Sequence, residues 1–202
     1  MEPIPVSALS PRPFIRRVIL PAAHYLAIAG KGPLDQAGKA AEALLRVGEA
    51  IRLRHAAAGR NFPLPPPELL TWGSGEWKVL LRVPEIVRAA EIGAVRQRFH
   101  AERRSAARGV VLLRLEEGAC LEGSAAGHGA AGISALLAAR AGELGMEIAE
   151  PRHEIRRAGG PLVVRQRLVL ASGSELPRSE NPRVRWRRRR SRGVPASWRR
   201  RS

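Results

Sequence analysis

The sequence predicts an α+β fold in which one pattern, strand–helix–strand–strand, occurs twice. Three observations predict it. The element order repeats along the chain, the mark of an internal duplication. Each pattern closes on two short apolar runs joined by a glycine-rich turn, which reads as an antiparallel hairpin. The 202 residues are 45% hydrophobic, enough for one core or for one domain of two similar halves.

The first pattern begins with Phe14 to Leu20, which leads through Pro21 into Tyr25 to Ala29 and stops at Gly30-Lys31-Gly32-Pro33. Asp35 stands where a helix N-cap is expected. Ala40, Ala43, Leu44, Val47 and Ile51 follow at helical spacing, and the helix should end near Ala58-Gly59. After a proline-rich connector, Glu68 to Trp72 and Trp77 to Val83 form a hairpin across Gly73-Ser74-Gly75. A connecting helix is expected from Pro84 to Arg108, its apolar side made by Ile86, Val87, Ala90, Val95 and Phe99.

The second pattern has Val110 to Leu115 continuing at Ala119 to Gly123, then a helix marked by Ile133, Leu136, Leu137 and Leu144 and closed by Gly145. Pro151 to Arg157 and Leu162 to Leu170 make its hairpin across Gly159-Gly160. The domain reading is residues 1–13 as a flexible N-terminus, 14–83 and 110–170 as the two units, 84–109 as the connecting helix, and 171–202 as a disordered arginine-rich tail.

Charge supports that division. The net charge is +17, from 35 Lys plus Arg against 18 Asp plus Glu. Ten arginines and no acid lie between Asn181 and Ser202, so 17 − 10 leaves +7 for residues 1–180. Such a block, with Trp186 and Trp198 set among arginines, suits non-specific nucleic-acid contact, and it also suits a merely solvated extension. The single cysteine, Cys120, excludes an intramolecular disulfide framework and a cysteine-based zinc site. Proline-rich residues 1–17 lack the apolar centre of a signal peptide, and no apolar run reaches the ~20 residues of a membrane helix. A cytoplasmic protein is expected.

Gly127-His128-Gly129-Ala130-Ala131-Gly132 matches a dinucleotide-binding fingerprint. The fingerprint needs further parallel strands and crossover helices, and only a hairpin follows, so no nucleotide cofactor is expected. His24, His55, His100 and His128 have no metal-ligand spacing, and no metal is expected. His153 and Glu154 sit mid-strand and point to opposite faces. An inward Glu154 would cost several kcal/mol unless paired, so it reads either as a solvated strand residue or as a functional carboxylate, a ligand counter-charge or general base. Trp72 and Trp77 flank the first hairpin turn, with Tyr25 beside them, and read either as packing residues or as an aromatic wall for a flat ligand.

Taken in order, these segments resemble the GyrI-like small-molecule-binding family. The carriers are Ile28-Ala29-Gly30-Lys31-Gly32, Glu68 to Trp72, Trp77-Lys78-Val79-Leu80-Leu81, Glu116-Glu117-Gly118-Ala119-Cys120 and Arg152-His153-Glu154-Ile155, spread over about residues 14–170. The resemblance implies two βαββ units related by pseudo-symmetry, with a ligand cleft between them. It implies Glu154 as the cleft glutamate, and Trp72, Trp77 and Glu68 as cleft-lining. Some relatives bind cationic drugs, and some stand-alone relatives hydrolyse strained cyclopropane rings. The chain has no helix-turn-helix segment, so it resembles the stand-alone kind. It departs from the family at Gly127-His128-Gly129, where a proline and an aromatic are expected, and after Ile155, where Arg156-Arg157 replace an aromatic-containing run. The expectation is binding of a small planar or cationic molecule, or hydrolysis of an electrophile in which Glu154 activates water.

Overall fold

The computed structural model describes residues 14–101, 109–125, 127–156 and 160–171. All belong to one compact unit. The arginine-rich segment, and with it the expected nucleic-acid contact, lies outside the described residues.

The fold is α+β: an eight-stranded sheet, antiparallel at every pairing, with three helices among the described residues. The strands are β1 (Phe14–Leu20), β2 (Ala23–Lys31), β3 (Glu68–Thr71), β4 (Glu76–Val83), β5 (Val111–Leu115), β6 (Gly118–Ser124), β7 (Met146–Arg156) and β8 (Leu162–Leu170). The helices are α1 (Asp35–Ala57), α2 (Ala89–Ala101) and α3 (Ala130–Glu143). Antiparallel pairing throughout removes the parallel frame that the glycine fingerprint before α3 would need.

The run read as one strand continuing from Val110 to Gly123 is two strands, β5 and β6, set far apart in the sheet; among the other boundaries that differ from the sequence reading, three have a local reason. Asp35 is the first helical residue of α1, and the cap position is Leu34, without a side-chain cap. The connecting helix starts at Ala89, not near Pro84: Glu91 Oε2 accepts the Arg88 backbone N–H at 2.8 Å, the carboxylate half of a capping box, and fixes the start there. β7 starts at Met146, earlier than Pro151, and absorbs a register shift between Ala149 and His153 against β8.

The strand order is β1-β6-β8-β7-β3-β4-β2-β5. It puts β1 and β2 six strand spacings apart, about 29 Å in a flat sheet. Yet only Pro21 and Ala22 join them, a reach of at most about 11 Å from Leu20 to Ala23. β5 and β6 are equally far apart and are joined by Glu116 and Glu117 alone. A flat sheet is therefore impossible, and the two edges curl toward each other.

The two faces of this curled sheet have different fates. α1 packs on β2 and β4, α2 on α1 and β5, and α3 on β6, β7 and β8. The outer face thus carries the helices, in two separate apolar clusters. One joins Leu44, Val47 and Ile51 of α1 to Leu26, Val79 and Leu81. The other joins Ile133, Leu137 and Ala141 of α3 to Leu121, Val164 and Leu168. Small residues let the helices approach: a Cβ on Gly48 of α1 would lie 2.6 Å from Leu81 Cδ2, and one on Gly123 would lie 2.9 Å from Leu137 Cδ2. The helix-free inner face is buried all the same, with Tyr25, Ala27, Leu70 and Leu80 in a third cluster. Curling accounts for this, because the inner face covers itself.

Candidate functional site

Cross-strand partners share a face, so the register reads out each face row by row. On the inner face one row runs Lys78–Leu70–His153–Arg165–Glu122–Arg16, from β4 to β1. Its last four members are polar, and they are tied together. His153, 1% exposed, lies between two carboxylates: Nδ1 is 2.8 Å from Glu117 Oε1 and Nε2 is 2.8 Å from Glu68 Oε2. The Glu117 contact is a hydrogen bond, whereas the Glu68 contact is an ion pair without hydrogen-bond alignment. Arg165 donates to Glu117 at 2.9 Å and to Glu122 at 2.7 Å, and Arg16 donates to Glu122 at 2.6 Å.

Each buried charge here is held by its neighbours. Burial pushes the His153 pKa down, but the Glu117 hydrogen bond and the charges of Glu117 and Glu68 overcome it and leave the value above the ordinary range. Burial pushes Glu117 and Glu122 up, and the hydrogen bonds from His153 and from Arg16 and Arg165 bring both net below the usual carboxylate range. Tyr25 is driven upward by burial and by Glu68 and Glu117, so its hydroxyl stays neutral. Cys120 is likewise pushed up to about 11, first by burial and then by Glu117, which makes it an inert core thiol.

A pH dependence follows, with opposite signs at its two ends. A raised histidine stabilises fully below its unfolded value of 6.5 and loses that contribution as pH rises through the folded value. Depressed glutamates stabilise above 4.5 and lose that contribution as pH falls through their folded values. Melting temperature measured from pH 4 to 9 is therefore expected to peak between these limits and to fall on the alkaline side. A flat alkaline limb would contradict the charged imidazole.

The outer face has a different middle row: Ile28–Val79–Leu69–Glu154–Val164–Gly123–Ile15. Glu154 is the one ionisable residue in it. It is 9% exposed and belongs to neither apolar cluster, while its partner Leu69 packs against the α1 cluster and Val164 lies in the α3 cluster. Its contacts with Arg152, at 3.0 Å from Nε and 2.9 Å from Nη2, both fall on Oε1. The cation is Arg152, two residues back on the same strand. Nearby on this face, the Ser134 hydroxyl of α3 bonds Gln166.

The structure thus divides the sequence-predicted residues between two faces. Tyr25, Glu68 and Trp72 are on the inner face, with Trp72 packed beside the Tyr25 cluster and Lys78 over its ring. Glu154 and Trp77 are on the outer face. Trp77 leans toward β2, where the missing side chain of Gly30 admits its ring: a Cβ there would lie 2.2 Å from Cζ2. It is buried under α1 as core. A wall made by Trp72 and Trp77 facing Glu154 does not form, because alternation along β3 and β4 sends the two tryptophans to opposite sides. Sequence reasoning missed Glu117, Glu122, His153 and Arg165 as a cluster. Their only local signal was four charged or titratable residues inside otherwise apolar strands and turns.

Among the described residues no group of histidine, cysteine and acidic side chains is arranged to hold a metal ion, and no helix is long and apolar enough to cross a membrane.

No protein-family model matches the sequence, and no curated protein matches it. Solved structures do match the fold. A hydrolase from Listeria innocua superposes with a TM-score of 0.69 at 21% identity, over 79% of this chain and 94% of that one. An uncharacterized conserved protein and a hydrolase encoded by lin2189, both from Listeria innocua, each superpose with a TM-score of 0.68 at 19% identity over the same shares. At this identity the likeness defines the class of protein by fold: an α+β protein with a curled antiparallel sheet and helices on its outer face.

Proposed function

We propose that the protein binds a small cationic organic molecule on the outer face of its sheet, over β3 and β7, with Glu154 as counter-charge. The reading treats the chain as a stand-alone GyrI-like protein whose β2-α1-β3-β4 and β6-α3-β7-β8 segments are two related units, with the ligand cleft between them. One observation supports it above the others: a single carboxylate interrupts a seven-residue apolar row where the α1 and α3 clusters meet. A nearly buried charge is costly to keep for packing alone. The arrangement suits a ligand with an apolar body for the flanking clusters and a positive charge for the Glu154 oxygen that Arg152 leaves free.

The second reading is hydrolysis, with Glu154 drawing a proton from water that attacks an electrophilic ring. It is favoured by the two Listeria neighbours described as hydrolases.

Fluorescence titration of the full chain with crystal violet and acridine orange tests the first reading. Saturable binding should weaken by about 30-fold in Glu154→Gln, the loss of about 2 kcal/mol typical of removing one partner of a desolvated charge pair. Trp72→Ala, on the other face, should leave it unchanged. Binding that survives Glu154→Gln would refute the assignment. Incubation with a cyclopropane electrophile, followed by mass spectrometry, separates the readings: hydrolysis requires a hydrated product that forms with time and is absent in Glu154→Gln.

A further inference from the structure

The inner face holds a cavity of about 260 Å³, lined by residues of β1, β2, β3, β4, β7 and β8 and by both short connectors. Glu68, Glu117 and Arg165 of the polar cluster form its floor. In that cluster three carboxylates (Glu68, Glu117, Glu122) face three cations (Arg16, His153, Arg165), each within ion-pair distance of a partner. The cluster is therefore neutral as a unit. Two further arginines line the cavity, Arg82 and Arg156, both exposed and neither in an ion pair among the described residues. Arg82 is the cross-strand partner of Tyr25. Tyr25 is 4% exposed and lines the cavity.

We propose that this cavity is a second ligand site, separate from Glu154 on the outer face, for a small organic monocarboxylate. Arg82, on the inner face beside Tyr25, takes the carboxylate by charge-assisted hydrogen bonds, the interaction for which guanidinium geometry is best suited, and Arg156, the last residue of β7, adds a second positive charge to the lining. Tyr25 supplies a neutral donor. Leu20, Pro21, Pro65 and Ile155 give the body of the ligand an apolar, conformationally fixed wall. The volume lies just under the range of drug-sized pockets, so the ligand is of metabolite size. The apolar wall rewards an organic body that inorganic phosphate lacks, which selects an organic monocarboxylate over phosphate.

The test is calorimetric titration of the full chain at pH 6 and low salt with benzoate, benzyl alcohol and inorganic phosphate. Supporting results are one-to-one benzoate binding, no binding of the uncharged alcohol, at least a tenfold loss in Arg82→Gln and Arg156→Gln, and full retention in Glu154→Gln. Both arginines are exposed, so the variants should fold as the parent does, which their melting temperatures check. The absence of saturable benzoate binding overturns the proposal. So does binding unaltered in both arginine variants, which would place it on the arginine-rich segment, and so does phosphate binding as tightly as benzoate. Because Glu154→Gln is expected to weaken dye binding and spare benzoate, failure at one site is distinguishable from failure at the other.

Discussion

Replacing His153 with leucine is expected to lower stability by about 3–5 kcal/mol, the range for removing one partner of a buried ion pair. The loss comes less from the imidazole's own contacts than from what remains. Glu117 would keep only Arg165, and the Glu68 oxygen facing the ring would be left buried without a cation. Urea denaturation at pH 6 measures the loss. The triple variant His153→Leu, Glu68→Gln, Glu117→Gln should recover at least half of it, because neutral amides need no cation. A loss below about 1 kcal/mol in the single variant would show that the carboxylates do not depend on the imidazolium.

The second large effect is expected at Leu81. This residue is fully buried between β4 and α1, and Leu81→Ala should cost about 2–5 kcal/mol through lost transfer energy and the cavity left behind. Gly48 makes the site informative. In the parent, a methyl at Gly48 would sit 2.6 Å from Leu81 Cδ2, so Gly48→Ala sets an overlap against a helix-propensity gain of about 1 kcal/mol. With alanine at 81 the overlap disappears and only the gain remains. Gly48→Ala should therefore stabilise the Leu81→Ala protein whatever it does to the parent. A double-mutant cycle by thermal melting reads the coupling, and additivity within about 0.3 kcal/mol would show that the two positions do not touch.

Much of the fold was legible from periodicity and turn chemistry. The Gly73-Ser74-Gly75 hairpin is one case: Gly75 takes φ +77°, which asks for glycine. The ends of α1 and α3 at Gly59 and Gly145, both at positive φ, are another. The opposite orientation of His153 and Glu154 followed from strand alternation alone. What sequence could not supply was which strand lies beside which. β7 reads as an edge hairpin strand but sits between β3 and β8, and this converts Glu154 from a solvated side chain into a nearly buried one. The inner cluster was hidden for the same reason. Glu68, Glu117, Glu122, His153 and Arg165 come from five separate segments, and no spacing along the chain brings them together. Trp77 misled because its partner is an absence: Gly30, two strands of sequence away, makes the space it fills.

The two short connectors also govern how the molecule can come apart. β1 follows the N-terminus but bonds to β6, with Arg16 and Glu122 separated by 106 positions, and β5 crosses in the other direction to bond β2. Each half of the chain thus lends its leading strand to the other. Neither half can melt while the other keeps its hydrogen bonds, so amide exchange in the strands should report one shared opening free energy. Closing contacts this distant also carries a large loop entropy before any reward, which places refolding among the slow, non-local topologies.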